Sequence, residues 1–279
     1  MIAPVLLLSL LVLFVPAHAY ADRATDLAKK APTVTTETCD DVQGVEDCHE
    51  NYKAGCTKAA KPRYDAFLNY LKNQAPQPTA KPLKTLTQQN FQDLDANIPD
   101  GLKKGNNGEH ADALAKLGQG NIYAVIGFLY VVQITGAEST NCQLSGGGDE
   151  QTDYHIHVGF DATTAKKLRD GEDLTQKPLQ QTSIVVEMTP HYRAWHQPDW
   201  TAALVTRFLG HQVKVVGQLL ADNEHNNAND NCAHPNAKLT KCWRASLWEL
   251  HPVTELYVCD SPTPCAATSA NWKKLADMP

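Results

Sequence analysis

Ile122-Tyr-Ala-Val-Ile-Gly-Phe-Leu-Tyr-Val-Val-Gln-Ile134 is the stretch on which the fold of this chain turns. β-Branched and aromatic residues dominate it, which predicts one long strand, and Gly136 ends it. Towards the C-terminus, a loop with Cys142 and Gly146-Gly147-Gly148 leads to a second strand, Asp153 to Phe160. That glycine run lacks the Lys-Ser/Thr of a phosphate loop and reads as a hinge. A third strand, Ser183 to Met188, stops at Pro190. Asp199 to Leu209 has helical spacing in Trp200, Leu204 and Phe208, with Pro198 or Asp199 suited to its start and Gly210 closing it. A fourth strand spans Gln212 to Ala221; after a polar loop from Asp222 to Lys241, a long fifth runs from Arg244 to Val258.

Towards the N-terminus the signals are weaker. Residues 75–120 read as a linker with short helical turns, broken at Asn106-Asn107-Gly108. Residues 39–74 form a cysteine-containing helical cap. In it Pro62 opens a helix along which Tyr64, Phe67, Leu68 and Leu71 recur at helical spacing, and Pro76 and Pro78 end it. Residues 20–38 are polar and read as a flexible lead-in. Residues 121–260 hold the strands, and 261–279 form a C-terminal tail.

Residues 1–19 lack Lys, Arg, Asp and Glu and include an apolar run, Val5 to Val15, too short to span a bilayer. Small residues in Ala17-His18-Ala19 and Ala19-Tyr20-Ala21 mark signal-peptidase cleavage after Ala19 or Ala21. The expected location is therefore secreted or periplasmic, with no membrane attachment after cleavage. Eight cysteines, none of them in this leader, read as a disulfide set in such a compartment. Short loops favour Cys232 with Cys242 and Cys259 with Cys265. Cys39, Cys48, Cys56 and Cys142 remain, and a bridge from one of the first three to Cys142 would tie the cap to the strands. A thiolate zinc site is the competing reading, but no C-x-x-C pair occurs. The formal net charge of -6 and the scarcity of Lys and Arg in the strands disfavour nonspecific nucleic-acid binding.

Three strands, a helix and two strands, in that order, resemble the OB-fold, a five-stranded barrel whose outer face on strands two and three binds ligands together with the loops after strands one and four. The resemblance implies a mainly β fold with minor α. It also implies bends at Gly127 and Gly217, where a side chain would crowd the sheet. The chain also resembles an uncharacterised group of exported bacterial proteins that share Asp-x-His-Ile, Glu-x-Thr-Pro and Trp-Glu-x-His-Pro. Here these are Asp153-Tyr154-His155-Ile156, Glu187-Met188-Thr189-Pro190 and Trp248-Glu249-Leu250-His251-Pro252.

Period-two alternation in the second strand puts Tyr154, Ile156, Val158 and Phe160 on one face and Asp153, His155 and His157 on the other. With the apolar set in the core, the polar set faces outward. Glu187 ends strand three, Glu249 and His251 share a face of strand five, and His225 and His234 lie in the loop after strand four. Imidazoles and carboxylates are the usual ligands of zinc and related ions. The candidate metal ligands are His155, His157, Glu187, His225 and His251. Asp153, Glu187 and Glu249 are candidates for catalytic proton handling, with Asp153, Asp222 and Glu249 also suited to orienting ligands. Each also has a structural role open to it: a histidine bonded to backbone or carboxylate, an aspartate capping a turn. Trp195, Trp248 and Met188 read as packing residues, His49 as structural, and His191, His196 and His211 as solvated.

Two functions follow from this set. One is a metal-dependent hydrolase acting on phosphodiesters with a divalent ion such as zinc. The other is a noncatalytic OB-type module binding a saccharide, peptide or protein on the outer face of strands two and three. A cupin-like oxidase or isomerase also shares a His-x-His strand, but Asp161 stands where Glu is expected and the second Pro-x-Gly-x-x-His element is missing.

Overall fold

The computed structural model describes residues 26, 27, 29, 38, 39, 41–57, 64–76, 82–145 and 148–278. The leader, most of the lead-in, Pro62, Pro78, Gly146 and Gly147 lie outside the described residues. The strands are β1 (Thr85–Leu86), β2 (Ile122–Ile134), β3 (Tyr154–Gly159), β4 (Ser183–Met188), β5 (Gln212–Ala221), β6 (Trp248–Cys259) and β7 (Trp272–Lys274). Three of the five long strands match the sequence reading to the residue: their β-branched runs end at turn residues, so the local signal is complete. The fifth starts at Trp248 rather than Arg244, because buried Arg244 forms an isolated bridge with Asn231 and its Nε donates to the Ser246 carbonyl ahead of the strand.

The sheet is mixed, and helix and strand contents are similar. Its long strands pair in the order β2-β3-β4-β6-β5, and β2 also pairs with β5, from Ile122 opposite Gln218 to Phe128 opposite Gln212, so the pairing returns on itself. All of these pairs are antiparallel except β4 with β6. At the two anticipated bends a β-carbon has no room. On Gly127 it would lie 2.6 Å from the Gly159 carbonyl oxygen, and on Gly217 2.8 Å from that of Pro252.

One face of these strands carries the main core, including Tyr154, Ile156, Val158, Ile184, Val186, Met188, Leu219, Trp248 and Leu250. Each such side chain contributes about 1.5–3 kcal/mol when fully buried. Trp248 and Met188 pack there as read from the sequence, whereas Trp195 is exposed.

Several parts of the sequence reading need correction. Residues 75–120 are more than a linker: β1 pairs with β2, the Gln88–Ala96 helix starts with a capping box on Thr87 and Asn90, and Leu86, Phe91, Leu102 and Leu114 join the main core. The 261–279 tail adds β7 beside β6 and buries Leu275. Between β3 and β4 lie two helices, Ala162–Arg169 and Gln176–Gln181, which lack a long apolar stripe. The helix expected over Asp199–Leu209 is shortened to Ala202–Thr206, capped by the Thr201 side chain rather than by Asp199. A second helix, Pro190–His196, precedes it.

All eight cysteines are paired: Cys232–Cys242 and Cys259–Cys265 as favoured by loop length, then Cys39–Cys56 and Cys48–Cys142. With no free thiol, the zinc-thiolate alternative has no ligands. No helix among the described residues is long and apolar enough to cross a membrane.

The Val45–Asn51 helix docks on Pro190–His196 through His49 and His191, whose rings stack with centroids 3.4 Å apart. His191 is therefore buried, not solvated. Burial, and then the neighbouring His191, hold His49 down to about 2; burial, and then His196, hold His191 down to about 4. The folded state refuses protons that the unfolded chain accepts below about 6.5, so this contribution is complete above that pH and is lost as pH falls through it. Stability should fall by roughly 2 kcal/mol between pH 6.5 and 5.5 from these two groups. Urea titrations across that range check it, and His49→Phe should remove about half of the slope; an unchanged slope would place the protons elsewhere.

Candidate functional site

The face of the strands opposite the core carries the polar residues, and strand register brings them together. His155 on β3 lies directly opposite Glu187 on β4. The parallel pairing of Val186 with Leu250 puts Glu187 on the same side as Glu249 and His251 of β6. Leu220 of β5 faces Glu249, so Asp222, two residues on, arrives on that side too.

This face is not open to solvent, as the sequence reading had it. The Ala66–Lys72 helix of the cap lies over it, packing Phe67, Leu68 and Leu71 against Leu220. Asp153, Glu187, Asp222, Arg244, Glu249 and His251 are buried, as is Lys72 of the covering helix.

The buried groups form one network. Glu187 meets His155 Nε2 through Oε1 and His251 Nδ1 through Oε2, both at 3.0 Å. His251 Nδ1 is also 3.2 Å from Glu249 Oε1, and the other Glu249 oxygen takes the Arg244 guanidinium at 2.5 Å. Asp222 pairs with Lys72 Nζ at 3.1 Å and faces Arg244 at 3.6 Å.

Burial opposes every one of these charges, and the partners decide the outcome. Burial is the largest single influence on His155 and His251 and lowers both, but the charge and hydrogen bond of Glu187, together with the other neighbouring acids, raise His155 to about 9 and His251 to about 10. The same two histidines hold Glu187 well below the usual carboxylate range. Lys72, His225 and Arg244 likewise hold Asp222 low. Asp153 lacks such a partner: burial, and then Glu138, push it up to about 7.

Charge counting in the network leaves a deficit. Four carboxylates, Asp153, Glu187, Asp222 and Glu249, face two permanent cations, Lys72 and Arg244. Two protons on the histidines fill the gap, and so does one divalent cation. Neither oxygen of Asp153 and no donor or acceptor at His251 Nε2 has a hydrogen-bond partner among the described residues. Buried polar atoms are rarely left so. Ligand atoms of Asp153, Glu187 and His251 all lie within 4.8 Å of one another. A carboxylate, carboxylate and imidazole set at that spacing is chemically suited to a divalent ion.

Above the network opens a cleft of about 510 Å³ between the loop after β2, the loop after β5 and the cap helix. His155 lies on its floor, with Lys72, Glu138, Lys104, His225 and Asp230 around it. In the wall, Asp230 accepts from Trp243 Nε1 at 3.2 Å and lies 3.2 Å from His225 Nδ1.

Of the five candidate ligands, Glu187 and His251 belong to the converging set and His155 adjoins it through Glu187. His157 does not. It is buried beneath the Gln176–Gln181 helix, its Nδ1 3.0 Å from Ser183 Oγ, and burial holds it neutral, down to about 3. His225 stands in the cleft wall with Nδ1 directed at Asp230 and Nε2 3.8 Å from Asp222. Of the candidate orienting groups, Asp153 joins the ligand set, Glu249 positions His251, and Asp222 holds Lys72. His234 turns away, its Nδ1 accepting from the Asn236 N–H.

Lys72, Arg244, Glu138 and Asp230 escaped the sequence reading. Only Lys72 left a local sign: it lies four residues after Leu68, on the buried stripe of its helix. No protein-family model, curated protein or solved structure matches this chain.

Proposed function

We propose that this is an exported, OB-fold-like protein that binds a divalent cation beneath its cleft and uses it to hydrolyse an ester, with phosphodiesters as the substrate class. The observation that carries this is the convergence of buried Asp153, Glu187 and His251, whose ligand atoms lie within 4.8 Å of one another, with an Asp153 carboxylate that has no hydrogen-bond partner among the described residues. The OB-like part is supported by the strand order, the β2–β5 pairing and the parallel β4–β6 pair. The cleft, bounded by the loops after the first and fourth long strands, lies where OB-folds bind ligands. Four formed disulfides support an oxidising compartment.

Asp153, Glu187 and His251 would hold the ion. Bound there, it would polarise a substrate oxygen and acidify a water. Glu249, 3.2 Å from His251 Nδ1, orients the His251 ring. His155 reaches the cleft and is positioned to deliver a proton to a leaving group.

The mature protein should carry about one divalent ion per chain by elemental mass spectrometry, and His251→Ala should lose it. Asp153→Asn gives a sharper test. It should abolish binding yet leave the metal-free protein as stable as wild type or more so, because it removes an unpaired buried charge. Hydrolysis of bis(p-nitrophenyl) phosphate should disappear with the ion. Metal-free wild type that gains no thermal stability from Zn2+ or Mn2+ would sink the proposal.

The ion pairs of Glu187 with both histidines favour one other reading, in which protons balance the network and the cleft serves a noncatalytic module for saccharide, peptide or protein. Ligand binding that survives a chelator would support it.

A further inference from the structure

The loop after β5 brings a second histidine–carboxylate pair to the cleft, at the rim of the buried network. Asp230 Oδ2 lies 3.2 Å from His225 Nδ1 and accepts from Asn227 Nδ2 at 2.7 Å. The other oxygen of Asp230 accepts from Trp243 Nε1 at 3.2 Å. The hydrogen bond to His225 is the first cause that holds Asp230 down to about 2; burial opposes it, and Asn227 and Trp243 add to it. An ionised carboxylate only accepts, so the proton of a neutral His225 ring belongs on Nδ1 and the lone pair on Nε2.

Both side chains line the cleft whose floor holds His155. The His225 side chain is 28 % exposed, and its Nε2 stands 3.8 Å from Asp222 Oδ2, beyond hydrogen-bond distance of an acid already paired with Lys72. The pair is also fixed in place. Trp243 packs edge-on against the His225 ring, with centroids 4.9 Å apart, and its N–H donates to the Asp230 carbonyl at 3.0 Å. The His225 N–H donates to the Asp222 carbonyl at 3.1 Å, and the Cys232–Cys242 bond closes the chain between Asp230 and Trp243. An imidazole oriented by a carboxylate through one nitrogen, with the other turned towards a cleft, is the arrangement a general base requires.

We propose that His225 is the catalytic base of the cleft and that Asp230 is its positioning residue. The inference rests on the hydrolytic reading above but not on the ion. His225 Nε2 takes a proton from water, the water oxygen bonds to phosphorus, and the bond from phosphorus to the leaving oxygen breaks. That oxygen departs with the proton of His155. One diester and one water become a monoester and an alcohol, and the proton gained by His225 returns to His155 through solvent in the cleft. Asp230 faces the positive charge that forms on the ring.

Hydrolysis of bis(p-nitrophenyl) phosphate and of diphenyl phosphate by the full mature protein tests this. The forms compared are wild type, His225→Gln, Asp230→Asn, the double variant and His234→Gln. His234 belongs to the same loop but turns away, so its variant controls for loss of an imidazole and should match wild type. In His225→Gln, kcat should fall about 100- to 10,000-fold, with KM and bound metal within about twofold of wild type. The factor should be the same for both esters, because a lost acid matters most for the poorer leaving group, phenol, and a lost base does not. Asp230→Asn should lower kcat by about tenfold or more, and the double variant should be no slower than His225→Gln, a coupling that a merely structural aspartate would not give. Nitrogen-15 spectra should place the proton of the neutral His225 ring on Nδ1. A loss below about tenfold in His225→Gln, a loss confined to diphenyl phosphate, or departure of the metal with activity would overturn the inference while leaving the hydrolytic reading standing. Additive losses in the double variant or a proton on Nε2 would do the same. Wild type that hydrolyses neither ester would overturn both together.

Discussion

Replacing Arg244 with methionine should cost about 3–5 kcal/mol of stability, the usual effect of removing one partner from a buried ion pair. The guanidinium is fully buried, spends Nε on the Ser246 carbonyl at 2.9 Å, meets Glu249 at 2.5 Å and faces Asp222 at 3.6 Å. Methionine fills a similar volume, so the loss reports the charge rather than a cavity. Without the guanidinium, among the described residues Glu249 keeps His251, Asp222 keeps Lys72 and a more distant His225, and the network goes one charge further into deficit. Total stabilities are about 5–15 kcal/mol, so the change is a large fraction of the whole. Urea unfolding at pH 7 measures it. The double variant Arg244→Met/Glu249→Gln should recover part of the loss, because the orphaned acid is gone. A single-variant loss below about 1 kcal/mol would mean that water reaches the pair and that the buried network is not what stabilises this face.

Removing the Cys48–Cys142 bond should cost about 4 kcal/mol. The two cysteines are 94 residues apart in sequence, and the entropy that a cross-link removes from the unfolded chain grows with the length of the loop it closes. The bond is one of several ties between the cap and the rest of the molecule, with Leu68 and Leu71 against Leu220, Lys72 against Asp222 and Gln218 Nε2 donating to the Leu71 carbonyl. The variant Cys48→Ala/Cys142→Ala leaves no free thiol to reshuffle. Its urea midpoint should fall well below that of wild type, whereas Cys259→Ala/Cys265→Ala, which opens a separation of only 6, should shift it less. A reversed order would show that strain or residual structure outweighs chain entropy in this protein.

β2, β4 and β5 could be read from the amino acids because β-branched runs ended by glycine, proline or polar turns are local signals, independent of distant contacts. The two short-range disulfides were legible for the same reason: little chain needs to close. Asp153, His155, Glu187, Glu249 and His251 were found because strand alternation gives each its face. Pairing order then did the rest.

What the sequence could not convey is which face would be covered. Helical spacing in Phe67, Leu68 and Leu71 announces an apolar stripe but names no partner, and the partner, Leu220, lies about 150 residues away in the chain. Only that docking turned an outward polar row into a buried network, brought Lys72 to Asp222 and made the cleft. His157 shows the same limit in reverse. Alternation assigned its face correctly, but a helix from the β3–β4 connection covers it and gives it Ser183 in place of an ion. Alternation is a property of neighbouring residues, whereas burial is a property of the whole molecule, and the chemistry of a charged group depends on burial.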